Sequence, residues 1–296
     1  MELIETPPIN LDRLQSCINR ELDRYSQFGR GCPDSLAEAI RYTLLGPGKR
    51  LRPQLVLMAA QACGGSVQEA LPAACAIEMV HAYSLVHDDL PAMDDDDLRR
   101  GRPTCHKLYG EDIAILVGDA LLARAFEILL AEIHPADRAV RCARVLGHAA
   151  GATGLVGGQT DDLADHCSGC TIEQLESIHQ RKTGALFVAS LEMGGIAAGA
   201  NDTQHAALKA YGRHLGLAFQ ITDDLLDVTG NPEDVGKRLD KDANHGKLTF
   251  PNLLGVEKSR SRAAESIDQA CAALAPLGKA GADLHHLANF VLKRNR

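Results

Sequence analysis

Tryptophan is absent from this chain, and aromatic residues make up only 4% of it. A core of any size must therefore be filled with aliphatic side chains. No stretch reaches the ~18 consecutive apolar residues that cross a bilayer, so no membrane partner is expected. Positive charge is also short, with 31 Lys and Arg against 39 Asp and Glu and a formal net charge of −8. No basic face is available to neutralise a run of nucleic-acid phosphates, and nucleic acid is excluded as a partner. Met1 to Asn10 lacks a basic region followed by an apolar stretch, so no secretory signal is expected. The nine cysteines form an odd count without a regular framework. Reduced thiols and a cytoplasmic location follow. Cys167 and Cys170 make the one C-x-x-C spacing, but there is no second pair at zinc spacing and no βαβ context to give it metal or redox meaning.

What is present is a globular composition, 45% hydrophobic and 24% charged over 296 residues, which suits one large domain or two ordinary ones. Apolar residues recur at three- and four-residue spacing over 54–62, 70–87, 112–133, 184–199 and 206–227, the helical period. Several of these segments are apolar nearly all round, as inner helices of a bundle are. Breakers at 46–48, 64–65, 101–103, 134–135 and 230–232 mark where helices end. Strand-like alternation is scarce, and no repeat or linker divides the chain. The expectation is one all-α domain.

Two aspartate clusters stand out. The first runs from His87-Asp88-Asp89 through Leu90-Pro91-Ala92-Met93 to Asp94-Asp95-Asp96-Asp97, and Leu98-Arg99-Arg100 follows at once. Pro91 disfavours helical geometry at the residue before it, so Asp88 and Asp89 fall in a helix's last turn. The macrodipole is negative there and carboxylates are disfavoured, which favours a bound cation. Asp94 is off the Asp88 face of an unbroken helix, and a turn around Pro91 is needed to bring it back. In the second cluster, Asp223 and Asp227 lie at i and i+4 on one helical face with Asp224 beside them. Clustered carboxylates without thiolate or histidine suit a hard ion, Mg²⁺ or Mn²⁺. An EF-hand fails, because the sixth position from Asp94 is Arg99 rather than glycine. Asp95 to Asp97 alone read as a solvated acidic face.

Cations lie elsewhere in the chain. Lys49, Arg50 and Arg52 sit beside the glycine turn Gly46-Pro47-Gly48, just before a helix. Arg99, Arg100, Lys182, Lys237 and Lys247 add further candidates. Arginine offers a planar fork to phosphate oxygens and lysine a point charge, so together they are able to answer two separate pyrophosphates.

These motifs, with Gly157-Gly158-Gln159, Lys182-Thr183-Gly184 and Phe219-Gln220-Ile221-Thr222-Asp223-Asp224, resemble those of the trans-type short-chain isoprenyl diphosphate synthases, in the bacterial farnesyl branch. The resemblance covers nearly the whole chain. It implies an isoprenoid-synthase-type helical bundle around a central cavity, a single polyprenyl synthetase domain over 1–296, and a homodimer. It implies Mg²⁺-dependent condensation of isopentenyl diphosphate with dimethylallyl and geranyl diphosphates. Asp88, Asp94 and Asp223 are then the main metal ligands, supported by Asp89, Asp224 and Asp227. Arg99, Lys182, Thr183, Gln220 and Lys237 face the allylic diphosphate, with Lys247 close by. Lys49, Arg52, His81 and Arg100 hold isopentenyl diphosphate, and the segment 228–247 is the lid. One departure is Asp240, which stands where the family commonly has glycine.

The growing tail is expected to run down the helix of the first cluster. Ser84 and Tyr83 lie four and five residues before Asp88, roughly 6–7.5 Å away at ~1.5 Å per residue. A bulky Tyr83 there predicts an early floor and a C15 rather than a C20 product, with a geranylgeranyl diphosphate synthase as the alternative. A non-catalytic partner subunit disagrees with intact aspartates in both motifs. A terpene cyclase disagrees with a second set of cations at Lys49, Arg52 and Arg100.

Overall fold

The computed structural model describes residues 10–164, 171–229 and 248–293. Its chain runs through α1 (Leu11–Tyr25), α2 (Asp34–Leu44), α3 (Leu51–Ala62) and α4 (Val67–Asp88) before a two-stranded hairpin, β1 (Leu98–Arg99) and β2 (Arg102–Pro103). Helices α5 (Cys105–Tyr109), α6 (Glu111–Glu132), α7 (Ala136–Ala150), α8 (Leu155–Ala164) and α9 (Ile172–His179) follow. A π turn, Gln180–Gly184, leads into α10 (Ala185–Ala198) and α11 (Asp202–Thr229). The chain closes with α12 (Phe250–Leu254), α13 (Val256–Ala273), a 3₁₀ segment (Ala275–Gly281) and α14 (Ala282–Lys293). The all-α expectation is met, and the hairpin is the only sheet among the described residues.

Helix α4 is the axis of the bundle. Its start is fixed by a capping box, in which Glu69 N–H donates to Ser66 Oγ and the Glu69 carboxylate accepts from Ser66 N–H, so two otherwise orphaned donors are satisfied. From Ala70 to Val86 almost every residue is buried, as a helix apolar all round requires. It packs against α3, α6 and α10, and α3 packs against α10. The approach of α3 to α10 depends on Gly194, where an added Cβ would lie 2.2 Å from the Val56 carbonyl oxygen. A smaller second core of Leu175, Leu217, Ile221, Leu225 and Phe250 joins α9, α11 and α12 and orients the second aspartate cluster.

Helix α6 is buried on one side only. Ala114, Val117, Leu121 and Ile128 are buried, but Ile115, Leu116 and Leu130 are about half exposed, as are Val140 on α7 and Val156 on α8. These apolar side chains are thus left largely uncovered by the described residues. No helix among the described residues is long and apolar enough to cross a membrane.

The close contact of α3 with α10 gives a direct test. A methyl at position 194 meets backbone, which cannot swing aside, so Gly194→Ala is expected to destabilise by ~1–3 kcal/mol and lower the melting temperature by several degrees. Gly31→Ala, with nothing within 4 Å, is the control and should leave melting unchanged.

Candidate active site

The end of α4 folds back on itself. Asp94 N–H donates to the Asp88 carbonyl at 2.8 Å, Asp95 N–H to Leu90 at 3.1 Å and Asp96 N–H to Asp89 at 3.2 Å. This turn returns Asp94 to the Asp88 side, supplying the reversal that the spacing demanded around Pro91. The Asp88 carboxylate, in contrast to its carbonyl, makes no hydrogen bond or ion pair within the described residues. Burial pushes its carboxyl up to about 6, opposed by Lys182 and reinforced by Asp94. An ionised, half-desolvated carboxylate without a partner is costly, and a bound cation removes that cost. The donor set here is all oxygen, which fits Mg²⁺ or Mn²⁺.

Asp89 behaves differently. Its carboxylate accepts from Arg99 Nε at 2.7 and 3.0 Å and from Arg99 Nη2 at 2.5 Å, and it is almost fully buried. This fork-shaped ion pair holds Arg99 in place beside the end of α4. Asp224 is likewise held by the protein. It accepts from Gln220 Nε2 at 3.0 Å and from Phe250 N–H at 3.0 Å, and its side chain is only 4% exposed. This carboxylate docks α12 onto α11. Ile221 and Leu225 turn into the second core, and the opposite face of α11 carries Asp223 and Asp227, both partly exposed. Asp223 is close enough to Arg52 to favour its charged form.

The three basic residues after the glycine turn divide by role. Arg50 adopts a left-handed φ of 52°, a strained value for a long side chain, and is buried. Its guanidinium donates to Glu78 at 2.7 Å, Asn19 at 3.0 Å, and the Leu44 and Gly46 carbonyls at 2.9 and 2.7 Å. Lys49 is exposed. Arg52 points inward, with Nη1 3.3 Å from His81 Nε2 and its guanidinium 5.2 Å from the Phe187 ring centre. Burial pulls Arg52 down to about 10, so it stays protonated. Burial, then Arg52 and Arg100, push His81 well below the usual imidazole range, and the neutral ring accepts from Arg52.

The hairpin completes this cationic wall. Arg100 (φ 52°) and Gly101 (φ 74°) form its two-residue turn, the primed geometry that matches strand twist. Arg100 Nη1 donates to the Pro47 carbonyl at 2.5 Å. Gly48 leaves room for it in this position, since a Cβ there would lie 2.3 Å from that nitrogen and the arginine would have to shift. His81, Arg50, Glu78, Arg99 and Arg100 line a cavity of about 80 Å³. His81 and Arg100, expected at one diphosphate, therefore share a cavity with Arg99, expected at the other.

On the facing side, the π turn presents Lys182 and Thr183, a local unwinding often found at functional sites. Lys182 Nζ pairs with Asp162 Oδ2 at 2.5 Å, and Thr183 Oγ1 donates to Gln220 Oε1 at 3.0 Å. Gly158 lets α8 lie against this turn, where a Cβ would meet Lys182 N at 2.2 Å. Sequence reasoning named the Gly157-Gly158-Gln159 motif without giving its side chain a role. Gln159 is 8% exposed and neither amide atom has a hydrogen-bond partner, so it marks a polar site. Glu78 and Asp162 were missed as well, since an isolated carboxylate in a helical pattern carries no signal of its partner. Lys237, Lys247, Asp240, the Cys167–Cys170 pair and nearly all of the lid segment lie outside the described residues.

The described residues thus form an all-α bundle that carries clustered carboxylates on α4 and α11 and a group of arginines near the first cluster. Residues 33–276 match the polyprenyl synthetase family, and the chain belongs to it. It is a short-chain prenyltransferase. It is 46% identical to a dimethylallyltranstransferase of Fischerella ambigua, across 91% of this chain and 79% of that one. It is 44% identical to a geranylgeranyl diphosphate synthase of Cyanophora paradoxa, across 90% of each. With a farnesyl diphosphate synthase of Bacillus subtilis the identity is 41%, across 89% of this chain and 90% of that one. The apo crystal structure of an FPP/GFPP synthase from Zymomonas mobilis superposes with a TM-score of 0.86 at 40% identity, covering 95% of this chain and 97% of that one.

The state of Asp88 is testable through pH. Its folded value lies above its unfolded value near 3.8, so ionisation costs nothing below about 4 and its full cost, on the order of 2–3 kcal/mol, above about 6. In chelator, Asp88→Asn is expected to melt higher than the unaltered protein at pH 8 and level with it at pH 4. Mg²⁺ should narrow the gap at pH 8, and no gap at pH 8 would contradict this reading.

Proposed function

We propose that the chain is a farnesyl diphosphate synthase, condensing isopentenyl diphosphate head-to-tail with dimethylallyl and then geranyl diphosphate. The observation that carries this is the pairing of two unlike anion sites. A carboxylate site with Lys182 beside it suits a metal-chelated diphosphate, and the Arg52–His81–Arg100 wall suits a second diphosphate held by cations alone. A terpene cyclase needs only the first.

Asp88, Asp94 and Asp223, supported directly or through water by Asp89, Asp224 and Asp227, are the residues proposed to hold Mg²⁺. When bound, the ion supplies charge neutralisation of the allylic diphosphate, which weakens the allylic C–O bond. Lys182 and Arg99 add fixed positive charge against the departing diphosphate. Arg52, His81, Arg100 and Lys49 hold isopentenyl diphosphate so that its double bond faces the allylic carbon. The new C–C bond forms there, and the proton lost afterwards goes to the diphosphate leaving group. Thr183 and Gln220 orient the allylic end, and Lys237 and Lys247 remain part of the proposal. Water must stay out, because it would quench the cation to an alcohol.

Tyr83 supports the C15 length. It is buried one turn below Asp88, its ring 5.8 Å from that of His87, and Ser84 Oγ is tied to the His81 carbonyl at 2.9 Å. His87 is in turn fixed to the Ile115 carbonyl at 3.1 Å. A buried tyrosine packed edge-to-face on His87 makes a rigid floor. The reading also includes a single domain and a homodimer, the latter supported by the exposed Ile115, Leu116, Val140 and Val156.

Incubation with isopentenyl and dimethylallyl diphosphates and Mg²⁺, then chromatography of the dephosphorylated products, is the test. A dominant C15 alcohol is expected, and Tyr83→Ala should shift it to C20 or longer. Asp88→Ala and Asp223→Ala should each lower turnover by roughly 10²-fold or more. A C20 product from the unaltered protein would replace the reading with a geranylgeranyl diphosphate synthase.

A further inference from the structure

The acidic run continues beyond the residues used above. Asp95 takes a left-handed φ of 48°, and the chain then turns so that three ligand atoms converge. One carboxylate oxygen each of Asp95 and Asp97 and one ring nitrogen of His106 all lie within 4.8 Å of one another. His106 is 6% exposed, whereas both aspartates face solvent.

The tautomer of His106 follows from its neighbour. Thr104 Oγ1 lies 2.8 Å from the Asp96 carbonyl, which only accepts, and 3.1 Å from His106 Nδ1. A hydroxyl has one proton. With that proton directed to the carbonyl, Nδ1 must carry the hydrogen and donate to Thr104, an assignment made from the network rather than from observed hydrogens. Nε2 is then a bare lone pair, buried and without a hydrogen-bond partner. A buried acceptor left without a donor is unfavourable. A histidine that ligates a metal is usually braced through its other nitrogen, which the Thr104 contact at Nδ1 would supply if Nε2 is the ligand.

We propose that Asp95, Asp97 and His106 form a second divalent-cation site, separate from the diphosphate-chelating carboxylates. One imidazole and two carboxylates, unlike the all-oxygen set at Asp88, favour a transition ion, and Zn²⁺ above Mn²⁺. Lys107 Nζ now lies 2.7 Å from Asp97 Oδ1. That pair is exposed and weak, and Lys107 is displaced to solvent as the ion enters. The three ligands bracket the hairpin that carries Arg99 and Arg100. An ion there clips its base and fixes both arginines against the site.

The test is calorimetric titration of the full chain with Zn²⁺ in excess Mg²⁺, alongside thermal melts, neither of which needs turnover. One Zn²⁺ per chain is expected to bind and raise the melting temperature. Asp95→Asn, at an exposed position that leaves folding intact, should weaken binding at least roughly tenfold, and His106→Gln should do the same. Asp88→Asn should retain the site. Absence of Zn²⁺ binding, equal binding by Asp95→Asn, or loss of binding in Asp88→Asn would each overturn the proposal.

Discussion

The buried pair between Arg50 and Glu78 is the interaction on which the cationic half of the site depends. A single guanidinium ties together α1 through Asn19, the end of α2 through two carbonyls, the start of α3, and α4 through Glu78. Both side chains are about 95% buried, so removing one partner would strand a charge at a cost of ~3–5 kcal/mol. The strained backbone at Arg50 persists because these bonds over-determine it. Glu78 also favours the charged forms of Arg52 and Arg100. One carboxylate thus gathers several cations without neutralising all of them, and the surplus is what a diphosphate answers.

The carboxylate half is built on the opposite principle. Asp88 sits at a helix end that disfavours it, in a position that also desolvates it, and Asp94 is brought back by main-chain bonds that leave both carboxylates in place. Two neighbouring carboxylates, Asp89 and Asp224, also hold the scaffold, one pairing with Arg99 and the other accepting from the first residue of α12. The pattern separates aspartates that are satisfied by protein from one that the described protein leaves unsatisfied. Stability is given up at Asp88 where a metal-bound anion can return it.

The helices, the two clusters and the π-turn pair Lys182–Thr183 were legible because their signals are local: a 3.6-residue period, an i, i+4 spacing, a proline after a helix. The roles of Asp89 and Asp224 were not, because their partners lie ten and twenty-six residues away. The sharing-out of Lys49, Arg50 and Arg52 was equally hidden. Three closely spaced basic residues look alike until a left-handed backbone turns one inward toward a glutamate twenty-eight residues on. Even the hairpin was missed, since its two-residue strands are too short to alternate. The exposed side of α6 was hidden for a related reason: periodicity reports that a surface is apolar, not which chain covers it.

The central claim is that the carboxylates and the arginines are completed together by a metal-bound diphosphate. Calorimetric titration of inorganic pyrophosphate into the full chain, with Mg²⁺ and then with chelator, tests it most directly. Tight binding with more than one Mg²⁺ taken up per pyrophosphate, and a collapse of affinity in chelator or in Asp223→Asn, is the predicted result. Equal pyrophosphate affinity with and without Mg²⁺ would contradict it.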